Sequence, residues 1–350
     1  MTGPAPDRDA LKTRGTLVLT RGDVARLLGI GDCVAAVEHA FRMHAAGATV
    51  PPGVLGAHVE GGGFHVKTAG LLGGERVFVT KVNANFPDNP ARCGLPTIQG
   101  VLVLFSIDTG QPLAVLDSIE ITSMRTAAAT AVAAKYLARE DAGVVTVCGC
   151  GEQGRSQLRA LAAVRPIRTA FAFDVDAARA SRYAREMAGE LGVEVSVVAD
   201  LAPATRRSDI VVTCTPARRW VLGRGDVAPG TLVAAVGADN PGKQEIEPAL
   251  LVASTVVVDV LEQCAAMGDL HHALDAGLMT RDQVAAELAD VVSGRKPGRR
   301  SAEEVVVFDS TGTALQDVAA AWLVYERARA RGVGVPVDLS GPMTHAVDRA

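Results

Sequence analysis

One glycine motif constrains the fold of this chain more than any other feature. The apolar segment Gly143–Cys148 runs directly into Gly149-Cys150-Gly151-Glu152-Gln153-Gly154, and a helical pattern follows. Glycines at these spacings allow a tight turn, a close approach of the backbone to a pyrophosphate, and close packing of helix on strand. The strand, the motif and the helix together therefore predict a dinucleotide-binding site.

The segments after Ala142 support this prediction because strand and helix patterns alternate there. Helices are predicted over Glu152–Val164, Asp176–Leu191, Thr280–Ser293 and Thr313–Arg331, with short, almost wholly apolar runs between them. Such runs are typical of strands that are buried on both faces of a parallel sheet. We expect an α/β fold with a doubly wound parallel sheet.

The first part of the chain has a different texture. Short β-rich runs between Val50 and Ser118 are separated by Gly, Pro and Asn, which indicates an antiparallel sheet. A helix with Asp32 as its N-cap is expected before this sheet, and an alanine-rich helix, Thr122–Arg139, is expected after it, with Arg125 marking its start. If the last helix of the chain returns to this sheet, the first domain is discontinuous.

Composition limits the functional classes. The 350 residues correspond to about two domains, and the 48% hydrophobic residues predict a globular protein. A net charge of −4 argues against general attraction to nucleic acid or an anionic membrane, and no apolar run is long enough to span a bilayer. The polar segment Met1–Gly15 is expected to be a loose tail, not a signal peptide. The arginine-rich stretch Gly294–Arg300 is interpreted as a solvated loop, with phosphate or nucleic-acid contact as the alternative.

The cysteines predict a compartment and argue against a metal site. Six cysteines are dispersed over the chain without a C-x-x-C pair. This pattern favours reduced thiols in the cytoplasm over a disulfide framework or a zinc centre.

The acidic residue after the next strand favours one cofactor over another. Asp174 ends the segment Arg168–Asp174, near the spacing of about 20 residues at which a carboxylate binds the ribose hydroxyls. A carboxylate there repels a 2′-phosphate, which favours NAD. Arg179 is near enough in sequence to bind such a phosphate, so NADP stays an alternative.

Charged residues within apolar segments indicate a second site. Lys81 lies in the middle of a β-rich run, where an unpaired ammonium is costly to bury, so it needs an anion. That anion could belong to a substrate or to an internal salt bridge, and Arg125 could likewise form an ordinary ion pair at a helix start. His65 and Lys67 share one face of a strand, which is either a pocket or solvent. Asp239 follows a strand of the parallel sheet, where ligands bind, or is a turn residue before Pro241.

Several motifs, in one order, resemble the ornithine cyclodeaminase/mu-crystallin family of NAD(P)-dependent enzymes. The resemblance covers about Thr16 to Arg331 and is carried by KVNANFPDN, LAVLDSIEITSMRTAAATAVAAKYLA, CGCGEQG, VGADNPGKQEI and DSTGTALQD. It implies a homodimer in which a Rossmann domain is inserted into a β-rich α+β domain for substrate binding and dimerisation. We place the Rossmann domain at residues 129–314 and the other domain at 1–128 plus 315–350.

The resemblance also implies roles for individual residues. Lys81 and Arg125 are similar to the pair that holds the substrate carboxylate, with Lys81 close to the reacting carbon. Asp239 is similar to the acidic residue that handles the amine or a water during proton transfer. The implied cofactor residues are Gly149, Gly151, Glu152, Gln153 and Gly154 in the pyrophosphate loop, Asp174 at the ribose, and Thr215 and Gly312 near the nicotinamide.

Two departures from the family pattern narrow the expected reaction. Gly53 stands where members commonly carry an arginine that binds carboxylate, and His65 aligns with a glutamate that holds the distal amine in true cyclodeaminases. With His65 and Lys67 present, a distal ammonium would fit poorly. We therefore expect an imine reductase or amino-acid dehydrogenase that acts on a small amino, imino or 2-oxo acid. A redox-neutral ornithine-type cyclodeaminase and a non-catalytic NAD(P)- or small-ligand-binding protein are the alternatives.

Overall fold

A computed structural model describes residues 15–339 of the chain. Residues 1–14 of the expected N-terminal tail, and residues 340–350 of the first predicted domain, lie outside this range. The first part of the chain forms β1 (Thr16–Leu19), α1 (Arg21–Leu27), α2 (Ile30–Ala45), β2 (Thr49–Val59), β3 (Gly62–Leu72), β4 (Arg76–Asn85), α3 (Asn89–Cys93), β5 (Ile98–Ser106), β6 (Pro112–Asp117) and α4 (Ser118–Leu137).

The second part of the chain alternates strands with helices from β7 as far as β10. Its elements are β7 (Val144–Cys148), α5 (Glu152–Ala162), β8 (Thr169–Phe173), α6 (Ala177–Leu191), β9 (Glu194–Val197), α7 (Leu201–Thr205), β10 (Ile210–Thr213), β11 (Arg218–Leu222), β12 (Leu232–Ala235), β13 (Gln244–Ile246), α8 (Pro248–Val252), β14 (Thr255–Val258), α9 (Leu261–Met267), α10 (Asp269–Asp275), β15 (Ala286–Glu287), α11 (Leu288–Val292), β16 (Val306–Asp309), α12 (Ala314–Arg331) and β17 (Val335–Val337).

Strands from both ends of the described chain build one seven-stranded sheet in the order β17-β1-β6-β5-β4-β3-β2. The neighbours from β2 to β6 pair antiparallel, whereas β1 pairs parallel with β6. Alternation along β3 and β4 separates two faces: Lys67 lies directly opposite Lys81 on one, and Val66 lies opposite Val82 on the other. The lysine-bearing face packs against α12 and is the face that forms the candidate site.

The second sheet is parallel and has the order β15-β14-β16-β12-β10-β7-β8-β9. Its inner strands β7, β10, β12 and β16 are almost fully buried, which explains their near-continuous apolar sequences. The chain proceeds from β7 outward to β8 and β9, and then returns to the other side of β7 with β10. Ligands of doubly wound sheets bind at such a reversal, beyond the carboxyl ends of the strands.

The last long helix joins the two ends of the chain. α12 follows β16 of the parallel sheet and packs against α2, α4, β3 and β4. The predicted architecture, a doubly wound sheet inserted into a β-rich domain, is therefore confirmed. The division after residue 128 falls inside α4, which packs on both α2 and α5, so these residue boundaries stay a prediction.

The boundaries of two predicted helices were wrong. α4 begins at Ser118 because the Asp117 carboxylate accepts hydrogen bonds from the N–H groups of Ile119 and Glu120, so Arg125 lies inside the helix. In α2 the N-cap is Gly29, and Asp32 is instead in the first turn, where its carboxylate pairs with Arg327 at 2.7 Å.

The helix predicted over Thr280–Ser293 was also wrong over most of its length. A single 3-10 turn, Arg281–Gln283, leads into β15, and only α11 is helical. Ala286 pairs with Val257, which extends the parallel sheet at its edge, so a tertiary backbone contact overrides the local helical preference.

The arginine-rich stretch binds the protein itself. The Arg299 guanidinium donates to the carbonyl of Leu137 at 2.7 Å, and Arg300 pairs with Glu304 at 3.1 Å. Within residues 15–339, no helix is long and apolar enough to cross a membrane.

Candidate active site

Two adjoining cavities lie at the carboxyl ends of the strands around β7, between the two sheets. They share Cys214, Thr215 and Pro216, which follow β10. One, the nucleotide groove, is lined by Gly149, Gly151, Asp174 and Arg179 among others. The other, the cationic pocket, is lined by His65, Lys67, Lys81, Arg125, Gln153, Thr215, Asp239, Lys243 and Gly312, together with further polar residues.

The glycine motif builds the floor of the nucleotide groove. Gly149 has a φ of +105°, a conformation that side chains oppose, and this turns the chain sharply after β7. A Cβ on Gly154 would overlap the carbonyl oxygen of Gly149, so only glycine lets α5 pack so closely on this turn. At Gly151, by contrast, a Cβ would meet nothing within 4 Å, which leaves open space at the N-terminus of α5. Free N–H groups and the positive end of the helix dipole suit a pyrophosphate there.

The other predicted residues of this loop have separate positions. Glu152 is the first residue of α5 and its side chain is exposed. Gln153 points the other way and lines the cationic pocket, where its Oε1 atom is buried and accepts no hydrogen bond from residues 15–339. Its amide therefore lies between the loop and the neighbouring pocket.

Asp174 lies at the end of β8, as the sequence predicted. Its carboxylate accepts hydrogen bonds from the N–H groups of Cys150 and Asp176, both at 2.9 Å. The Arg179 guanidinium lies 3.5 Å from the same carboxylate and is about half exposed. Asp174 thus links the glycine loop to the end of β8, with a cation beside it.

Three buried basic side chains line the cationic pocket, and two of them pair with one carboxylate. The Lys81 ammonium pairs with one oxygen of Asp317 at 2.7 Å, and the Arg125 guanidinium pairs with the other at 2.9 Å. Lys67 lies opposite Lys81 in the sheet and donates to the carbonyls of Thr311 and Gly312 at 2.9 and 2.6 Å. Because Asp317 balances only one of the three positive charges, the wall of this pocket favours an anion.

Asp317 was missed by the sequence analysis, as was its neighbour Gln316, which accepts a hydrogen bond from Arg125 at 2.7 Å. Both lie at the start of α12, far along the chain from Lys81 and Arg125. A buried lysine needs an anion beside it, and this need was the signal in the sequence. The DSTGTALQD segment ends with Asp317, whose carboxylate meets that need. The internal salt bridge considered for Lys81 is thus present, and Arg125 is in the body of its helix, not at its start.

The surroundings of Lys81 change its acidity. Burial, and then the positive charge of Arg125, lower the pKa of Lys81 to about 7, although Asp317 opposes this change. Burial and Arg125 also lower the pKa of Lys67. Lys81 can therefore gain or lose a proton near neutral pH, which is the property required of a group that exchanges protons in a reaction.

Gly312 lies in the loop after β16 and lets the Arg125 side chain pack against that loop. It has a φ of +74°, and a Cβ there would overlap the Arg125 guanidinium. The Gly312 N–H donates to Asp259 at 2.8 Å, while its carbonyl accepts from Lys67. The loop is thus held from both sides against the cationic pocket.

His65 and Lys67 both face this pocket, so the face that they share is not a solvent face. Burial lowers the pKa of His65, the charge of Lys67 adds to the effect, and the charge of Asp239 opposes it. His65 is half-buried, whereas Lys67 is only 7% exposed.

Asp239 lies on the opposite wall of the pocket, in the loop after β12. Its carboxylate pairs with Lys243 at 2.7 Å, and its side chain is about half exposed. Burial opposes its ionisation, but the charge and hydrogen bond of Lys243, with Lys67 and His65, lower the pKa of Asp239. Asp239 is therefore a carboxylate at neutral pH and can accept a proton or bind an ammonium group.

A buried glutamate that the sequence analysis also missed joins the walls of the two cavities. Glu245, in β13, accepts hydrogen bonds from the N–H groups of Thr215 and Gly237 at 2.6 and 2.8 Å. Its position after the GADNPGKQ loop was visible, but nothing local distinguishes it from a surface residue of a short strand. Among residues 15–339, no group of three His, Cys, Asp or Glu side chains could hold a metal ion.

Comparison with known proteins agrees with this geometry. The model of the ornithine cyclodeaminase/mu-crystallin family matches residues 14–332. Alanine dehydrogenase of Archaeoglobus fulgidus is 41% identical over 91% of this chain and 97% of its own length.

Two solved structures are also similar. An archaeal alanine dehydrogenase dimer with bound NAD has a TM-score of 0.89 at 38% identity, over 93% of this chain and 99% of the other. Thermococcus litoralis Δ1-pyrroline-2-carboxylate reductase, in complex with NADH and L-proline, has a TM-score of 0.89 at 34% identity, over 92% and 100%. This chain belongs to the ornithine cyclodeaminase/mu-crystallin family.

Proposed function

We propose that this protein is an NAD(H)-dependent oxidoreductase that acts on the C–N bond of a small amino or imino acid, as an imine reductase or amino-acid dehydrogenase. The observation that carries the proposal is the cluster of Lys67, Lys81 and Arg125, with Asp317 as the carboxylate ion-paired to it. This cluster lines a cavity that shares a wall with the nucleotide groove. A relative named as an amino-acid dehydrogenase, alanine dehydrogenase, supports the same reaction class.

The nucleotide groove fits a dinucleotide. Gly151 leaves room for a pyrophosphate at the N-terminus of α5, and Asp174 lies where the ribose hydroxyls would bind. When bound, NAD(H) would supply the hydride to the carbon of the C–N bond or take it up. The Asp174 carboxylate favours NAD over NADP, although Arg179 could bind a 2′-phosphate if it turned away from Asp174.

The cationic pocket would bind the substrate carboxylate and orient the reacting carbon. Lys81 and Arg125 each have one contact with Asp317, which leaves further donor hydrogens for a second carboxylate. Binding in this way would present one face of the carbon towards the wall at Thr215, which both cavities share. Positioning of this kind lowers the barrier without any covalent step by the protein.

Two groups could manage the proton on the substrate nitrogen. Asp239, a carboxylate at neutral pH, would accept a hydrogen bond or a proton from the amine. Lys81 has a pKa near 7 and would exchange a proton with substrate or water in either direction of the reaction. The Lys81–Asp317 pair keeps the ammonium in place while it does so.

The charges of the pocket argue against an ornithine-type substrate. A distal ammonium would approach His65 and Lys67, whereas Asp239, the half-exposed carboxylate on the opposite wall, already pairs with Lys243. We therefore favour a substrate without a distal amine over cyclodeamination.

The assembly that we propose is a homodimer in the cytoplasm. The face of the seven-stranded sheet opposite the lysines carries Phe64, Val66, Val82 and Val101, of which Phe64 and Val101 are 39% and 47% exposed. An apolar sheet face of this kind is typical of a subunit interface, and the similar alanine dehydrogenase structure is a dimer. Six free cysteines are consistent with a reducing compartment.

The proposal is tested by incubating the protein with NADH, ammonia or a primary amine, and a panel of 2-oxo acids, and by following NADH oxidation. Oxidation that depends on both the acid and the amine supports the proposal. Formation of proline from ornithine without net oxidation of NADH would show the redox-neutral reaction instead.

The variant Asp239→Asn separates an enzyme from a binding protein. An enzyme should lose turnover by about 10²-fold or more while the Kd for NADH changes little, because Asp239 lines the cationic pocket and not the nucleotide groove. A wild-type protein that binds NADH, but does not oxidise it when any substrate of the panel is added, would be a binding protein.

A further inference from the structure

Glu245 is a fully buried carboxylate that contacts two loops at once. One oxygen accepts the Thr215 N–H at 2.6 Å, and the other accepts the Gly237 N–H at 2.8 Å and the Thr213 hydroxyl at 2.9 Å. A Cβ on Gly237 would overlap this carboxylate, so the loop packs directly on it. Glu245 therefore has three donors from two neighbouring strands of the parallel sheet.

The two loops that it joins form the walls of the candidate site. Thr215 lines both the nucleotide groove and the cationic pocket. Gly237 begins the loop that carries Asp239 and Lys243. Glu245 thus bonds to the cofactor wall and to the Asp239 wall at once.

The backbone of Glu245 is itself held. The N–H groups of Glu245 and Ile246 donate to Asp269 at 2.7 and 2.9 Å, and the N–H groups of Asp269 and Leu270 donate to Asp309. Glu245, Asp269 and Asp309 are all 0% exposed, and none of the three is ion-paired within the described residues. Burial without a cation is costly for a carboxylate. The backbone N–H groups that donate to these three carboxylates therefore hold them in place.

Because Glu245 is buried, its contacts depend on a carboxylate that accepts hydrogen bonds with both oxygens. Burial, and then the charge of Asp269, raise the pKa of Glu245 to about 7. An amide in its place would present an NH₂ group to at least one backbone N–H, and two donors cannot bond to each other. The variant Glu245→Gln should therefore release one of the two loops while it preserves the size of the side chain.

We propose that Glu245 is a positioning residue, whose carboxylate sets the distance between the Thr215 wall and the Asp239 loop and so aligns the substrate with the nicotinamide. The proposal rests on the proposed function for its effect on turnover, but not for the contacts themselves. Glu245 touches neither cavity directly, so its effect on a reaction would pass through the two loops.

The test compares Glu245→Gln with Glu247→Gln. Glu247 lies two residues further on, accepts the N–H of Arg224 at 2.8 Å, and lines neither cavity, so its variant makes the same chemical change outside the site. Hydrogen–deuterium exchange of the Thr215 and Gly237 amides is measured for both variants and the wild type. kcat and KM are measured with NADH and the active imino acid, at a temperature where circular dichroism shows each protein to be folded.

In Glu245→Gln we expect faster exchange of at least one of the two amides and a fall in kcat of roughly tenfold or more, because small misplacements of a substrate are costly. In Glu247→Gln we expect neither. Wild-type exchange at both amides, or faster exchange with an unchanged kcat in the folded protein, would overturn the proposal, the second result indicating a purely structural role.

Two further outcomes stay informative. If Glu245→Gln does not fold, Gly237→Ala displaces the same loop from the carboxylate, and also from the Thr215 carbonyl, and should show the same faster exchange and loss of kcat. If the wild type turns over no amino or imino acid, the proposed function fails, while amide exchange still decides whether Glu245 holds the two loops.

Discussion

At the scale of single residues, the site depends on the balance between Asp317 and the cations around it. Lys81 and Arg125 are 2% and 4% exposed, and both contact this one carboxylate. Breaking a buried ion pair by removing one partner is far more costly than losing a surface pair, because the remaining charge stays buried.

We predict that Asp317→Asn lowers the free energy of unfolding by about 3–5 kcal/mol, since it leaves Lys81 and Arg125 buried without the carboxylate that pairs with both. Urea denaturation near neutral pH measures this loss. The matched control is Asp108→Asn, in which the pair with Arg76 is almost half exposed on both sides, and which should cost about 0–1 kcal/mol. Equal losses in the two variants would contradict the claim that the buried ion pairs of Asp317 stabilise the fold more than an exposed pair does.

The titration of Lys81 gives a second prediction. Its pKa of about 7 lies below its usual value of 10.5, so between these pH values the unfolded chain binds more protons, and Lys81 adds stability as pH rises. Activity should change in the opposite direction, because only the ammonium form attracts a carboxylate. We expect kcat/KM for the imino acid to fall as pH rises above about 7.

The variant Lys81→Arg tests whether Lys81 causes this pH dependence of kcat/KM. A guanidinium stays charged throughout the range, so the fall in kcat/KM above neutral pH should disappear, even if the maximum is lower. The other groups that face Lys81 are Lys67, Arg125 and Asp317, and none of them changes in this variant. A fall that persists unchanged in Lys81→Arg would assign it to a different group.

The glycine motif and Asp174 could be located from the sequence because their positions depend on backbone geometry within one strand-turn-helix unit. Their roles in cofactor binding stay a prediction. Lys81 was recognised as needing an anion, but Asp317 could not be assigned to it, since the partner comes from a helix at the other end of the chain. Glu245 was missed for the same reason: its contacts with Thr215 and Gly237 depend on how three separate strands lie together.

At the scale of elements, the junction of β7 and α5 supports the nucleotide groove. The tight packing of Gly154 on Gly149 sets the position of the N-terminus of α5. In α6, by contrast, Gly189 is exposed and a Cβ there would meet nothing. The two helical glycines therefore make a matched pair.

We predict that Gly154→Ala weakens NADH binding by about tenfold or more, because the new methyl group moves α5 away from the loop that would receive the pyrophosphate. Gly189→Ala should leave binding unchanged and raise stability by up to about 1 kcal/mol. Fluorescence titration with NADH measures the first effect and thermal unfolding the second. Wild-type affinity in Gly154→Ala would mean that this packing does not shape the groove.

Elements with their own periodicity were predicted better than those defined by tertiary contacts. The alanine-rich helix was placed correctly apart from shifts at its ends, and the β-rich runs expected between Val50 and Ser118 form β2 to β6. The segment Thr280–Ser293 was predicted wrongly, because Ala286 pairs with Val257 at the edge of the parallel sheet, and no local sequence pattern predicts this contact.

At the scale of the whole molecule, one sheet serves two purposes on its two faces. Lys67 and Lys81 face α12 and the candidate site, while Phe64, Val66, Val82 and Val101 form the outer apolar face. Since neighbouring residues of a strand alternate between faces, the pocket and the proposed subunit interface are built by the same strands.

We predict that Val101→Glu converts the proposed dimer into a monomer, because it places a charge in the middle of the apolar face. Light scattering after size exclusion measures the mass. Val252→Glu, at a similarly exposed position on α8, should leave the mass unchanged. A monomeric wild type, or a Val101→Glu protein that stays dimeric, would place the interface elsewhere.

The central claim is hydride transfer between NAD(H) and the carbon of a C–N bond, within a pocket that binds a carboxylate. The most direct measurement uses NADH deuterated at the transferable position of the nicotinamide, with ammonia or a primary amine and each 2-oxo acid, followed by mass spectrometry and NMR of the product. The account predicts one deuterium on the α-carbon of the amino acid, and none when Lys81→Met replaces the wild type. Product formed without deuterium at that carbon, or proline formed from ornithine with no net consumption of NADH, would contradict it.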